Sequence, residues 1–270
     1  MVKRIGVIGF GAIGQAIASG LQLPSMKGFV IAGVCARPRQ IVDARAQLPA
    51  KTLITESMDA LLDAGVDLFI EAAGQRAVAE HSEAIIRRGH ELFVLSIGAL
   101  ADPQLRSRLE LAVRLKGGSV AVPAGALAGF DGLRSMREAG LTSVSYTSTK
   151  PPKAWLGTPA EKEFALERLS ARTVIFRGNA SDAALGFPRN ANLAAAVALA
   201  GIGFEKTRVE LVADPHAVAN TGHLVAESPT ATLDLRLASR AFGDNPKTSE
   251  ITAASVLAAL GNREATVRFV

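Results

Sequence analysis

Two of the four histidines in this 270-residue chain stand close together in "ADPHAVANTGH", at His216 and His223. An imidazole titrates near neutrality and is the side chain best suited to carry a proton there. This stretch is therefore the first candidate for acid/base chemistry. The other two histidines have blander settings: His81 is flanked by Glu80 and Glu83 on a predicted solvated helix face, and His90 follows Gly89 at a turn.

A second pattern opens the chain. In "KRIGVIGFGAIGQAIASGL" an apolar strand, Ile5 to Ile8, turns through Gly9, Gly11 and Gly14 into an Ala-rich helix. The spacing has a mechanical reason: Gly9 permits a tight turn, Gly11 lets backbone approach a pyrophosphate, and Gly14 lets the helix pack closely on the strand. The start of that helix, at Ala12 and Ile13, then offers amides and a positive dipole end to phosphates. The context of strand, turn and helix makes this a dinucleotide-binding site rather than a merely tight turn.

The next strand, "FVIAGVCAR", ends where such a domain selects its cofactor. An Asp or Glu there bonds the ribose of NAD, whereas removal of that charge and an Arg suit the 2′-phosphate of NADP. The chain reads Cys35, Ala36, Arg37, Pro38, Arg39. With two guanidinium groups and no carboxylate, Arg37 and Arg39 favour NADP over NAD.

The elements that must position these groups follow at α/β spacing. Strands are predicted in "DLFIEAAG" from Asp67 and "ELFVLSIGAL" from Glu91, with "QRAVAEHSEAIIRRG" as the helix between them. Gly74 and Ser96 fall at the carboxyl ends of these strands, where a doubly wound sheet holds its ligand. Beyond residue 123 the pattern changes. A helix in "GFDGLRSMREAG" precedes an alternating strand in "LTSVSYTSTKPPKAW", then a strand and helices in "TVIFRGNASDAALGFPRNANLAAAVALAGIG", then strands in "KTRVELVADP" and "ATLDLRLAS". The expected fold class is α/β: a Rossmann domain with a doubly wound parallel sheet, followed by an α+β domain with a mixed sheet. The boundaries are 1–123 plus 244–270 for the first and 124–243 for the second. An amphipathic helix from about Ser249 to Leu260 returns to the first domain.

Composition narrows the function. Hydrophobic residues make up 49%, and no apolar run reaches the roughly 20 residues a membrane span requires. Met1 leads directly into a strand rather than a signal sequence, so a soluble cytoplasmic protein is expected. The net charge is +5, but the 30 Lys and Arg are scattered and aromatics are only 5%, which fits small anionic ligands and not nucleic acid. The single cysteine, Cys35, reads as a core residue, and no Cys, His and carboxylate cluster has metal-ligand spacing.

Several stretches together resemble the L-aspartate dehydrogenase family: "GFGAIG", "LSIGALAD", "VPAGALAGFDGL", "STKPPKAW", "FPRNANLAAAVALAGIGF", "VELVADP" and "NPKTS". The resemblance runs from near residue 5 to the C-terminus. It implies NAD(P)-dependent oxidative deamination of L-aspartate, or the reverse amination, by a homodimer joined through the second domain. It also implies that the backbone at Ala124 and the side chain of Asn190 contact the cofactor. The alternative for Asn190 is an N-cap of the helix that follows it, a role compatible with the first.

Oxidation of an amino acid needs a base near the amine and cations for the carboxylates. Lys150, whose chain is fixed by the two prolines after it, and Lys247 with Thr248 are the candidates for the carboxylates, each with a solvated surface role as the alternative. Asn220 joins them as a substrate-binding residue, and Arg189 is a further cation beside Asn190. In the family pattern, four residues, an Asn and one more residue follow "ADP" before the catalytic histidine. Asn220 matches, but position 222 is glycine and the imidazole comes at His223. A bulge at Gly222 would bring His223 to the family position as acid/base; otherwise the histidine is lost and the amino or imino acid substrate has changed. His216 is expected in a turn or helix start. A non-catalytic NADP sensor is the reading from a different class.

Overall fold

The computed structural model describes residues 2–242, 245–249 and 251–269; the side chains of 241–249 lie outside the description. The chain divides into two units. The first comprises 1–96, 103–123 and 253–270, and the second comprises 97–102 and 124–252. The segment 97–102 and the stretch 244–252 thus group with the second unit, which differs from the boundaries drawn from the sequence.

The first unit runs β1 (Lys3–Ile8), α1 (Ala12–Gly20), β2 (Phe29–Cys35), α2 (Pro38–Gln47), β3 (Leu53–Thr55), α3 (Met58–Leu62), β4 (Leu68–Glu71), α4 (Gln75–Arg87), β5 (Glu91–Val94), α5 (Pro103–Lys116) and β6 (Ser119–Ala121). Its six strands lie in the order β3-β2-β1-β4-β5-β6, all parallel. The order reverses between β1 and β4, so the crevice at their carboxyl ends is the binding position of this architecture. Both faces of β1 are covered, and Ile5 and Val7 have no exposed surface, as a central parallel strand requires.

The second unit holds α6 (Phe130–Glu138), β7 (Ser143–Lys150), α7 (Ala160–Glu163), β8 (Thr173–Asn179), α8 (Ala180–Gly186), α9 (Asn192–Ala200), β9 (Arg208–Ala213), β10 (Asn220–Glu227), β11 (Thr232–Ser239), β12 (Ala241–Phe242) and β13 (Asn245–Ser249). Its main sheet has the order β11-β10-β7-β9-β8 and is mixed: β7 and β9 run parallel and the other pairs antiparallel. β12 and β13 form a separate hairpin. In β7 burial alternates strictly, with Val144, Tyr146, Ser148 and Lys150 inward, the period of a strand with one covered face.

The last helix, α10 (Ile251–Glu264), begins two residues later and ends four residues beyond the predicted span. Ala253, Val256 and Leu260 share one face and join the core formed by Ile5, Val7, Ile17 and Phe29. Gly20 on α1 allows this approach, since a Cβ there would stand 2.2 Å from a methyl of Leu257. Burial of Val256 and Leu260 contributes about 1.5–3 kcal/mol each. Arg263 adds an ion pair to Glu91 and lies over the Phe93 ring, 4.8 Å from its centroid.

Candidate active site

The turn after β1 is shaped by contacts that only glycine tolerates. Gly9 has φ +91°, and a Cβ there would fall 2.8 Å from the Ala72 carbonyl oxygen and from Ala73 Cα. A Cβ at Gly14 would lie 2.3 Å from the Gly9 carbonyl oxygen, so α1 could not sit so close with any other residue. Gly11 caps α1 with no side-chain bond, and the first turn carries no acidic residue. The amides of Ala12 and Ile13 have no earlier helical carbonyl to pair with. Such a cradle fits the phosphates of a dinucleotide.

Beside it, β2 ends at Cys35, with Arg37 as the N-cap of α2 and Pro38 in its first turn. Arg37 and Arg39 are both exposed. Cys35 is half-buried and contacts the Glu56 carbonyl oxygen at 3.5 Å. Burial, and then the negative charge of Glu56, push its thiol up from the ordinary value. Glu56, just past β3, is a carboxylate at this edge that the sequence reading passed over.

The loops after β4 and β5 meet on one side chain. Glu71 ends β4 with no exposed surface. Its Oε1 accepts hydrogen bonds from the Ala73 and Gly74 amides, each at 2.7 Å, and from the Ser96 hydroxyl at 2.9 Å. Its Oε2 accepts from the amides of Ser96 at 2.9 Å and Leu95 at 3.3 Å. Burial pushes the carboxyl up from its ordinary value, and the amides and hydroxyl pull it down. Because every partner presents a donor, the ionised form is the one these bonds fit. Gly74 and Ser96, singled out from strand ends alone, are thus joined through Glu71. A lone acid closing the apolar run "LFIE" is the signal that could have found it.

In the second unit the inward faces of β7 and β10 carry a polar cluster. Thr149 pairs with Thr221, so Lys150 and Asn220 lie at the same end and on the same face, and each is 8% exposed. Pro151 and a 3₁₀ turn at Pro152–Trp155 bring the Trp155 ring under Lys150, with Nζ 5.7 Å from the ring centroid. The Trp155 indole donates to the Val212 carbonyl at 3.0 Å, which fixes the ring.

Asn190 does not cap α9, which corrects that alternative: the N-cap is Ala191. The buried Asn190 instead donates its amide to the Ala154 carbonyl at 2.8 Å. Its Oδ1 is buried without a hydrogen-bond partner among the described residues, an acceptor held ready for a donor from elsewhere. Ala124 is exposed in the loop before α6, and Arg189 is exposed. The side chains of Lys247 and Thr248 lie outside the described residues.

The histidine segment departs from expectation. A strand, β10, runs through it, and its pairing is continuous from Asn220 to Glu227 against β11 and from Thr221 to Glu227 against β7. The bulge expected at Gly222 is absent. Strand alternation therefore turns His223 to the opposite face from Asn220 and Lys150, where Nε2 lies 2.8 Å from Asp234 Oδ1 and the side chain is 41% exposed. Gly222 faces inward, and a Cβ there would come within 3.0 Å of the Tyr146 hydroxyl and 3.2 Å of Leu127. Burial raises the Tyr146 phenol above its ordinary value, and a hydrogen bond with Ser148 offsets part of this. His216 sits in an exposed turn, its amide donating to Asp214 Oδ1 at 2.9 Å. His90 packs its ring edge on Phe69, with centroids 5.2 Å apart, and burial lowers its pKa. Among the described residues no His, Cys and carboxylate group could hold a metal, and no helix is long and apolar enough to cross a membrane.

Comparison with known proteins agrees with both halves. The family model described as the NAD-binding domain of homoserine dehydrogenase matches residues 9–123, and that described as the C-terminal domain of aspartate dehydrogenase matches residues 131–263. The chain is 41% identical over 261 residues to the L-aspartate dehydrogenase of Cupriavidus taiwanensis, covering 96% of this chain and 97% of the relative. It is 40% identical over 264 residues to that of Ralstonia nicotianae, with the same coverage. The crystal structure of aspartate dehydrogenase from Thermotoga maritima superposes with a TM-score of 0.76 at 26% identity, over all of both chains. A glycine-only dinucleotide turn and a parallel sheet with its switch point beside β1, together with this similarity along nearly the whole chain, place it in the L-aspartate dehydrogenase family of NAD(P)-dependent amino-acid dehydrogenases.

Proposed function

We propose that the protein oxidises L-aspartate at Cα to iminoaspartate, which water hydrolyses to oxaloacetate and ammonia, and that it can run the reverse amination. The observation that carries this reading is a buried lysine, Lys150, sharing one end and face of a sheet with Asn220, in a chain whose relatives bear that enzyme's name. A bound dinucleotide supplies the hydride acceptor.

Lys150 binds one substrate carboxylate, and its placement over Trp155 restricts where the charge can move. Asn220 offers a polar partner beside it, with Lys247 and Thr248 as the candidates for the second carboxylate. In the first unit the Gly9–Gly14 turn holds the phosphates. Asn190 and Ala124 stay candidates for cofactor contact on the family resemblance, and Asn190 Oδ1 has no hydrogen-bond partner among the described residues. NADP is preferred over NAD: Arg37 and Arg39 are exposed at the end of β2, and neither guanidinium makes a hydrogen bond or ion pair among the described residues. The protein works as a cytoplasmic homodimer.

The amine proton is not routed through His223, which lies across the sheet from Lys150. This observation favours a second reading, in which the same hydride chemistry acts on another amino or imino acid. Purified protein with NADP or NAD and a panel of amino acids, followed by the absorbance of reduced nicotinamide, separates the two. Turnover highest with L-aspartate supports the first. No turnover with any dicarboxylic amino acid, alongside turnover with another, replaces it with the second.

A further inference from the structure

Carboxylates are seldom placed where no water can reach them, because desolvating the charge is costly unless hydrogen bonds replace the water. Glu71 has no exposed surface and is met by five donors, four of them backbone amides. These donors come from the loop after β4 and the loop after β5, which otherwise belong to separate strand ends. The first loop is also the one that presses on the dinucleotide turn: the Ala72 amide donates to the Ile8 carbonyl at 2.8 Å, and Ala72 and Ala73 are the atoms that forbid a side chain at Gly9. Gly74 then leaves the brace with φ +121° and opens α4.

We propose that Glu71 is a positioning residue for the nicotinamide cofactor, its buried carboxylate holding the loops at Ala73–Gly74 and Leu95–Ser96 in the arrangement that the dinucleotide binds. The proposal rests on cofactor binding by the first unit and not on the identity of the amino-acid substrate. An apolar residue would fill the space but take the acceptor from four amides, of which those of Leu95 and Ser96 are buried. A carboxylate satisfies both loops from one point and couples them, so neither can shift without losing bonds to the other.

The test reads binding in the absence of substrate. NADPH and NADH are titrated against wild type, Glu71→Gln and Ser96→Ala by nicotinamide fluorescence, with thermal unfolding of each protein in parallel. Glutamine keeps the shape, but its NH₂ must face amide donors at one of the two oxygens. Loss of those bonds is expected to weaken cofactor binding about tenfold or more. Ser96→Ala removes one donor of five and is expected to weaken it by about two- to fivefold. With cofactor saturating, kcat and the amino-acid KM are expected to stay within about threefold of wild type, a split that general loosening of the fold would not produce. A folded Glu71→Gln protein with cofactor Kd within twofold of wild type overturns the proposal, as does an equal loss in cofactor Kd and amino-acid KM. If Glu71→Gln does not fold, an unchanged Kd in Ser96→Ala overturns it. Failure of L-aspartate as substrate leaves these titrations intact and bears only on the proposed reaction.

Discussion

Replacing Lys150 with methionine tests the proposed substrate site most directly. Lys150 is 8% exposed as a residue, and a hydrogen bond to a charged group contributes about 1.5–3 kcal/mol. At 1.36 kcal/mol per decade this is a loss of about 10- to 150-fold in kcat/KM for L-aspartate. Methionine keeps an unbranched stem against Trp155, exchanging a cation–π contact of about 0.5–2 kcal/mol for a sulfur–aromatic one of about 0.3–1.5 kcal/mol. The net stability change is then about 1.7 kcal/mol at most, or about 3–7 °C in Tm for a chain of this size. Steady-state oxidation followed at the nicotinamide absorbance, with thermal unfolding as control, reads both quantities. A KM for L-aspartate within twofold of wild type, in a variant with wild-type Tm, would refute the assignment of Lys150 to a substrate carboxylate. A parallel loss of cofactor affinity would show that the substitution had disturbed more than the substrate.

Three further outcomes are expected. Replacing Arg37 and Arg39 together by alanine should weaken NADP binding about 2- to 30-fold and NAD binding little, since exposed ion pairs contribute about 0.2–1 kcal/mol each; equal losses in a titration of both cofactors would remove the NADP assignment. His223→Ala should leave turnover within about threefold of wild type, because the imidazole lies across the sheet from Lys150. A fall of the 100-fold or more that marks a lost general base would overturn that inference. Cys35, whose thiol is raised by burial and by Glu56, should be alkylated by iodoacetamide more slowly than a free cysteine between pH 7 and 9, because less of it is thiolate at each pH; mass spectrometry of timed samples checks this.

Much of this protein is local and can be read from the chain alone. The glycine spacing announced the turn because one of its constraints acts within six residues: Gly14 must clear the Gly9 carbonyl, and spacing along the chain sets that contact. Strands β1, β2, β4 and β5 and helices α1 and α4 were legible because apolar runs and their periods report burial directly, while α2, β3, α3, α5 and β6 were not singled out. The alternation in "SVSYTSTK" likewise announced β7, while the inward direction of Lys150 came from the structure. What the chain alone could not reveal depends on which strands become neighbours. Glu71 is a single acid at the end of an apolar run until Leu95 and Ser96 arrive from a strand more than twenty residues away. Asn190 looked like a cap because local sequence offered a helix just beyond it; its bond to Ala154 is made across 36 residues. The histidines show the division most sharply. Sequence placed Asn220 in register with a family pattern and His223 one residue beyond it, but β10 was not predicted, and without a strand there is no rule for which side a residue faces. Pairing with β7 and β11 supplied that rule: a strand repeats every two residues, so a displacement of one puts His223 on the opposite face of the sheet from Asn220 and Lys150.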